Sequence, residues 1–231
     1  MLRVGLTGGL GSGKSTVAAM LRKLGAEVVE SDELGRALME PGHAAYNEIV
    51  RIFGPAVVAP DGRLNRARLA ELAFKDGRVK ELNAIIHPAV IEAQAKWMDV
   101  IFAEDPTAVA VVVSALIFEV ERDAREGGQP TAAYADLRRR IDRVVLVTAP
   151  DSAKVVRYVD RISPSASSRQ AAEADDRSRL ALQIPDSEKV SRADYLLENS
   201  GDIEALRAQV RELWPRLKQE SNLNPKPRSL K

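Results

Sequence analysis

Gly8-Gly9-Leu10-Gly11-Ser12-Gly13-Lys14-Ser15 fits the pattern G-x-x-x-x-G-K-[ST], and no other stretch restricts the possible architecture as much. Glycines admit turns closed to other residues, so that successive amide N–H groups can converge on one phosphate. Lys14 supplies a point charge for the β- and γ-phosphates, and Ser15 a hydroxyl for Mg²⁺. A helix predicted over Ser15 to Leu24 turns its positive dipole end toward the same anion. Met1 to Thr7 reads as an apolar strand entering the loop, and Thr16 to Leu24 has helical apolar spacing. A dinucleotide fingerprint is excluded, because after Gly9 and Gly11 the third position is Lys14. The stretch predicts binding of a nucleoside triphosphate.

Strand-like and helix-like segments alternate along the rest of the chain. Val28-Val29, Ala108 to Val113, Arg143 to Thr148 and Ala193 to Leu197 are further strands. Their near-continuous apolar runs indicate strands covered on both faces, hence a parallel sheet. The expected fold class is α/β: a three-layer P-loop NTPase fold with a five-stranded parallel sheet, a helical insert and a lid. Core segments are expected at 1–40, 108–160 and 186–219. The insert, 41–107, holds helical patterns at Ala45 to Phe53, Arg66 to Lys75 and Arg78 to Asp99, with turn signals at Gly54-Pro55 and Asp61-Gly62. In the last of these helices, His87-Pro88 is expected to end or kink it. Val120 to Ile141 reads as an elaborated loop with some helix.

Asp151 to Asp160 reads as a helix, Ser163 to Ser168 as a polar bend, and Arg169 to Gln183 as a second helix. This arginine-rich helix–bend–helix predicts a lid over 161–185. Ile203 to Gln219 is the closing helix, and 220–231 is expected to be a disordered tail.

Charge excludes several function classes. Lys and Arg total 34 against 33 Asp and Glu, so the basic excess of a nucleic-acid footprint is absent. Arg138-Arg139-Arg140 is flanked by Asp136 and Asp142 and reads as a solvated helix end. The absence of cysteine removes disulfides and thiolate chemistry. The longest uncharged apolar stretch, Ala108 to Phe118, is too short to span a bilayer as a helix, and no signal peptide is expected ahead of the first strand. A soluble, cytoplasmic protein is expected, a monomer or small homo-oligomer acting on small molecules.

The loop alone does not say what receives the phosphoryl group. Asp32 follows the second strand, and ligands in open α/β sheets lie beyond the strands' carboxyl ends. It could take a proton from an attacking hydroxyl, hold Mg²⁺ through water, or merely cap the next helix. Glu30 is the rival carboxylate, one strand face away.

Val4 to Val17 resembles the opening of the dephospho-coenzyme A kinase family. Further matches follow in order to about residue 215: Val28-Val-Glu-Ser-Asp32, Glu40-Pro-Gly42, Phe53-Gly54, Asp61-Gly62, His87-Pro88, Leu116-Ile-Phe-Glu119, Ala193-Asp194 and Asn199-Ser-Gly201. The resemblance implies ATP-dependent phosphorylation of the ribose 3′-hydroxyl of dephospho-coenzyme A, with ATP and Mg²⁺ as cofactors. By that resemblance Asp32 is the catalytic base, with Lys14 and Arg161 as charge stabilisers. Gly8, Gly9, Leu10, Gly11, Ser12, Gly13, Lys14, Ser15, Thr16, Arg157 and Asn199 would bind ATP. Thr7, Asp32, His87, Leu116, Phe118 and Glu119 would meet the acceptor, and Ser15 the metal. Arg179 and Gln183 fall in the lid's second half. His87, Leu116 and Phe118 could equally be core, and Trp97 and Trp214 read as packing residues.

The chain departs from the family pattern at Glu30, where an aspartate is usual, and at Ala115, where a proline is expected. Its 120–141 loop and its lid are long. Two other readings stay open on the residues alone. Another small-molecule P-loop kinase would lack the His87-Pro88 insert. A non-enzymatic nucleotide switch has no use for lid arginines, and Ser114-Ala115 lacks the aspartate of a Walker-B motor.

Overall fold

The computed structural model describes residues 1–126, 136–162 and 183–223. The chain forms two compact units, one of Met1–Val28 with Met98–Lys231 and one of Val29–Trp97. The second therefore begins and ends earlier than the 41–107 insert read from the sequence.

The sheet consists of β1 (Leu2–Thr7), β2 (Glu27–Glu30), β3 (Val109–Val113), β4 (Arg143–Thr148) and β5 (Tyr195–Glu198), in the order β2-β3-β1-β4-β5. β1 runs parallel to β3, from Leu2 opposite Val109 to Leu6 opposite Val113. On its other side it runs parallel to β4, from Val4 opposite Arg143 to Thr7 opposite Leu146. β5 continues the parallel pairing from Tyr195 opposite Val145. All five residues of β3 are buried, as are Val144 to Val147 of β4, which is why these strands show no polar alternation. The five-stranded parallel sheet agrees with the expected fold class. Its strand order reverses at β1, and the crevice beyond such a reversal is where ligands of open α/β sheets bind.

Helix α1 (Lys14–Lys23) and the closing helix, Ile203–Leu223, cover one face of this sheet. The closing helix buries Leu206, Val210, Leu213 and Leu217, an apolar stripe at helical spacing, against Leu2, Val4 and Leu6 of β1. Trp214 packs against the same core, as its spacing predicts. This helix continues four residues past the point where the sequence predicts fraying. Ser221 is buried and its hydroxyl donates to the carbonyl of Ala108 at 3.2 Å, and Glu220 pairs with Arg143 at 2.6 Å. Those tertiary bonds hold a polar stretch in place. Residues 224–231 lie outside the described residues.

The second unit contains α2 (Ser31–Leu38), α3 (Ala44–Phe53), α4 (Arg66–Lys75) and the first part of α5 (Val79–Glu104). Its core gathers Ile49, Phe53, Val57, Leu64 and Leu69. Arg78 lies 4.3 Å from the Phe53 ring and donates to the Ile52 carbonyl at 3.1 Å. Of the two expected effects of Pro88, an end or a kink, the end does not occur, since α5 runs through it. Proline removes one backbone hydrogen bond. Val90, Gln94, Met98 and Phe102 are buried at four-residue intervals along α5, so one continuous buried face outweighs that loss. Asn65 caps α4 by accepting from the amide of Arg68 at 3.0 Å. Asn65→Ala is expected to lower stability by about 1 kcal/mol, which chemical denaturation would measure.

After β3 the chain forms α6 (Ile117–Glu126), then α7 (Leu137–Arg140). More of the 120–141 segment is therefore helical than the sequence suggests, because Phe118, Glu119, Glu121 and Ala124 are buried along α6. Arg138 pairs with Asp194 at 2.6 Å and Arg139 reaches Asp136 at 3.7 Å, both arginines about half exposed, but the run is not solvated throughout, since Nε and Nη2 of Arg140 are buried with no partner. α8 (Asp151–Ile162) matches its prediction. The predicted lid falls mainly on 163–182, including Arg179, and lies outside the described residues. Among the described residues no helix is long and apolar enough to cross a membrane.

Candidate active site

β1 ends at Thr7, the loop runs from Gly8 to Gly13, and α1 opens at Lys14. Gly8, Gly11 and Gly13 have φ of 150°, 73° and 101°, and the Ser12 amide donates to the Gly9 carbonyl at 3.1 Å. Gly13 caps α1 without a side chain, its carbonyl accepting from the amides of Thr16 and Val17 at 3.0 and 3.1 Å, and a helix start of this kind turns its leading amides toward an outside acceptor. The Lys14 amine curls back over the loop and donates to the carbonyls of Gly8 and Gly9, both at 2.9 Å. The hydroxyl oxygens of Thr7 and Ser12 are buried with no partner. A concave backbone with amides and a held ammonium suits an anion of phosphate size, whereas the two hydroxyls belong to fully buried residues.

The loop's shape is enforced from outside. A Cβ on Gly11 would lie 2.2 Å from the main-chain carbonyl oxygen of Lys154 on α8. Backbone cannot rotate away, and φ at Gly11 is already in the left-handed region. Gly11→Ala is expected to cost about 1–2 kcal/mol in backbone strain alone, so ATP affinity should fall about tenfold or more in a direct titration. Asn199, after β5, is buried; its side-chain amide donates to the Ser12 carbonyl at 2.8 Å, and its own amide donates to the Thr148 carbonyl at 2.8 Å. In this structure its side chain therefore braces the loop.

Arg157, on α8, donates through Nη2 to the Asn199 carbonyl at 3.1 Å, while its Nη1 is buried with no partner. An unsatisfied buried guanidinium nitrogen calls for an acceptor from elsewhere. The same helix carries Arg161 near its C-terminal end; the Arg161 side chain lies outside the described residues. Lys154 is buried, with its amine 2.5 Å from Asp186 and 3.1 Å from Asp151. Burial pulls its pKa down, and the hydrogen bonds and charges of Asp186 and Asp151 more than offset this, leaving it raised. The amine is therefore a fixed positive charge beside the loop.

Beyond β3, Leu116 is exposed, whereas Phe118 is fully buried with the Arg192 guanidinium 4.4 Å from its ring. Phe118 is core here and presents no surface. Glu119 is buried too, its Oε1 accepting from the Ile184 amide at 2.8 Å and lying 2.8 Å from the Lys189 amine. Gln183, at the start of the same returning segment, has a buried and unpartnered side-chain oxygen.

Asp32 and His87 belong to the second unit. Asp32 is exposed in the first turn of α2, whose N-cap is Glu30 and not Asp32. The capping alternative is therefore excluded. The helix start is anchored by Ser31, whose buried hydroxyl accepts from Gln94 of α5 at 2.9 Å. His87 is half-buried in the interior of α5.

Sequence reasoning missed Lys154, Asp186, Lys189 and Gln94. The first three sit in stretches that read as ordinary polar helix. Their one local signal is Lys154 three residues after Asp151, which also describes a surface pair. For Mg²⁺, the Ser15 hydroxyl is exposed in the first turn of α1. Among the described residues no cluster of three or more His, Asp or Glu could hold a metal by itself. The donors present suit a cation held mostly by phosphate oxygens.

The family model for dephospho-CoA kinase matches residues 2–205. A dephospho-CoA kinase of Moorella thermoacetica is 37% identical over 228 residues, covering 98% of this chain and 97% of the relative. One from Syntrophotalea carbinolica is 38% identical over 218 residues, covering 94% and 92%. Among solved structures, a Thermus thermophilus protein of 30% identity superposes with a TM-score of 0.65, covering 93% of this chain and 96% of its own. The dephospho-CoA kinase of Campylobacter jejuni shares the fold at 16% identity and a TM-score of 0.55, covering 94% and 97%.

Proposed function

The chain belongs to the dephospho-CoA kinase family, and from that premise we propose how its own residues perform the reaction. The γ-phosphoryl group of ATP passes to the ribose 3′-hydroxyl of dephospho-coenzyme A, giving coenzyme A and ADP. The observation that carries this reading is the loop Gly8–Gly13 with the Lys14 amine bonded across it to Gly8 and Gly9. Phosphoryl transfer needs little covalent chemistry from a protein; positioning and charge stabilisation supply most of the catalysis.

Gly8, Gly9, Leu10, Gly11, Ser12 and Gly13 cradle the phosphates with their backbone, joined by Ser15 and Thr16 at the start of α1. Lys14, Arg157 and Arg161 neutralise charge as the bond to the β-phosphate oxygen breaks and the bond to the 3′-oxygen forms. The proton leaving that hydroxyl goes to the carboxylate of Asp32. Ser15 would hold Mg²⁺, which when bound would supply further neutralisation of phosphate charge. His87 and Leu116 contact the acceptor, and Thr7, Phe118 and Glu119, all buried, support the acceptor's wall without touching the acceptor. Asn199 serves ATP indirectly, by bracing Ser12. The proposed enzyme is cytoplasmic, a monomer or small homo-oligomer acting on small molecules without membrane partners, and its near-balanced charge argues against a nucleic-acid partner.

The test is ADP release from Mg-ATP with dephospho-coenzyme A, with AMP, cytidine monophosphate and no acceptor in parallel. Turnover confined to dephospho-coenzyme A, with coenzyme A as product, is expected. Equal turnover on the two nucleotides would reassign the acceptor site.

A further inference from the structure

The segment Ile184–Arg192, which includes the short helix Asp186–Val190, is bonded on both of its sides within one compact unit. Toward the loop, Asp186 holds the Lys154 amine at 2.5 Å. A Cβ placed on Gly9 would lie 3.4 Å from that amine and 3.6 Å from Asp186 Oδ1, so this ion pair is laid directly against the loop backbone. Toward α6, the Ile184 amide donates to Glu119 Oε1 at 2.8 Å, and Lys189 pairs with the same oxygen at 2.8 Å. Arg192 closes over Phe118 and pairs with Glu121.

Two of these contacts are costly for a fold to keep. The side chains of Lys189 and Glu119 are 0% and 3% exposed, and that of Lys154 is 5% exposed. Buried ion pairs often add nothing to stability over apolar residues of the same volume, so their use lies in fixing one arrangement. What they fix here is the spacing between the phosphate loop and the start of α6, since Asp186 and Lys189 stand one helical turn apart.

We propose that Ile184–Arg192 is a brace tying the ATP loop to the wall that carries the acceptor, and that Asp186, Lys154, Lys189 and Glu119 are positioning residues for phosphoryl transfer. The inference rests on the reading above, in which the residues after β3 meet dephospho-coenzyme A. None of the four touches the reacting atoms. Their role is to make occupancy of one site favour the geometry that the other needs, which is a coupling free energy and is therefore reciprocal.

The test is binding of dephospho-coenzyme A by calorimetry, with and without a non-hydrolysable Mg-ATP analogue, in the wild-type chain and in D186N, K189M and K189R. Wild type is expected to bind the acceptor about five- to fifty-fold more tightly when the analogue is present, within the usual range of such couplings. D186N and K189M should reduce that factor to about twofold or less, while changing each ligand's separate affinity by about threefold or less. K189R should retain it, which a purely structural loss would not predict. D186N keeps the shape of a partly exposed side chain and decides the matter should K189M melt early. Coupling of wild-type size in D186N, or none in wild type, overturns the brace. A wild-type chain that binds the analogue but not dephospho-coenzyme A would instead overturn the functional reading.

Discussion

Asp32→Asn is expected to lower turnover of dephospho-coenzyme A by about 10²- to 10⁴-fold while leaving ATP binding nearly intact, the signature of a lost general base. The substitution is clean for structural reasons. Asp32 is exposed and its carboxylate has no hydrogen-bond or ion-pair partner among the described residues, so asparagine disturbs no packing. The start of α2 is held by its neighbour, through the bond from Gln94 to Ser31. Thermal stability should therefore stay within about 0.5 kcal/mol of wild type, as for surface changes in general. Steady-state turnover and an ATP titration check the two halves separately. Wild-type turnover in this variant would remove Asp32 from the reaction and leave Glu30 as the carboxylate to examine next.

Lys14→Ala should be nearly as severe, for a different reason. The ammonium is held at 2.9 Å from two loop carbonyls, so its charge is already placed where a triphosphate would need it and little reorganisation is left for the reaction step. Loss of one preorganised charge of this kind costs about 10²- to 10³-fold in rate. In the proposed role the lysine acts on the transition state more than on the ground state, and kcat and kcat/KM should then fall together. A rise in KM at constant kcat would show that Lys14 merely binds ATP. Lys14→Arg should not rescue activity, since a planar guanidinium cannot take the two carbonyls with the geometry of a compact ammonium.

The parts of this site that were legible in the sequence are those whose chemistry is local. Gly8 to Ser15 is contiguous, and each position has its own reason to be the residue it is. Strands could be read because β3 and β4 are apolar on both faces. Pro88 does not end α5 because the loss of one backbone bond is local, whereas what the rest of α5 buries is not written beside it. On the sequence Phe118 is open between core and acceptor contact, and the tertiary fold decides it as core under Arg192. Asn199 looked like a turn residue, and only the tertiary fold shows its amide on Ser12, in a different part of the chain. Lys154 and Asp186 are likewise meaningful only as a pair, and each alone is an ordinary helix residue.

The sheet's strand order also decides when this enzyme can exist during its own synthesis. β1 is made first, yet its partners are β3 and β4, with Leu2 opposite Val109 and Val4 opposite Arg143. The unit Val29–Trp97 is continuous in sequence and has its own apolar cluster, so it can consolidate as soon as it emerges from the ribosome. The opening strand has to wait with both edges unpaired until the chain has grown past residue 113 on one side and 148 on the other. Long-range parallel pairing of this kind is slow, and a waiting apolar strand is open to wrong partners. Truncated or stalled nascent chains ending before β4 should therefore be the aggregation-prone species, although every residue of the phosphate loop has already been made.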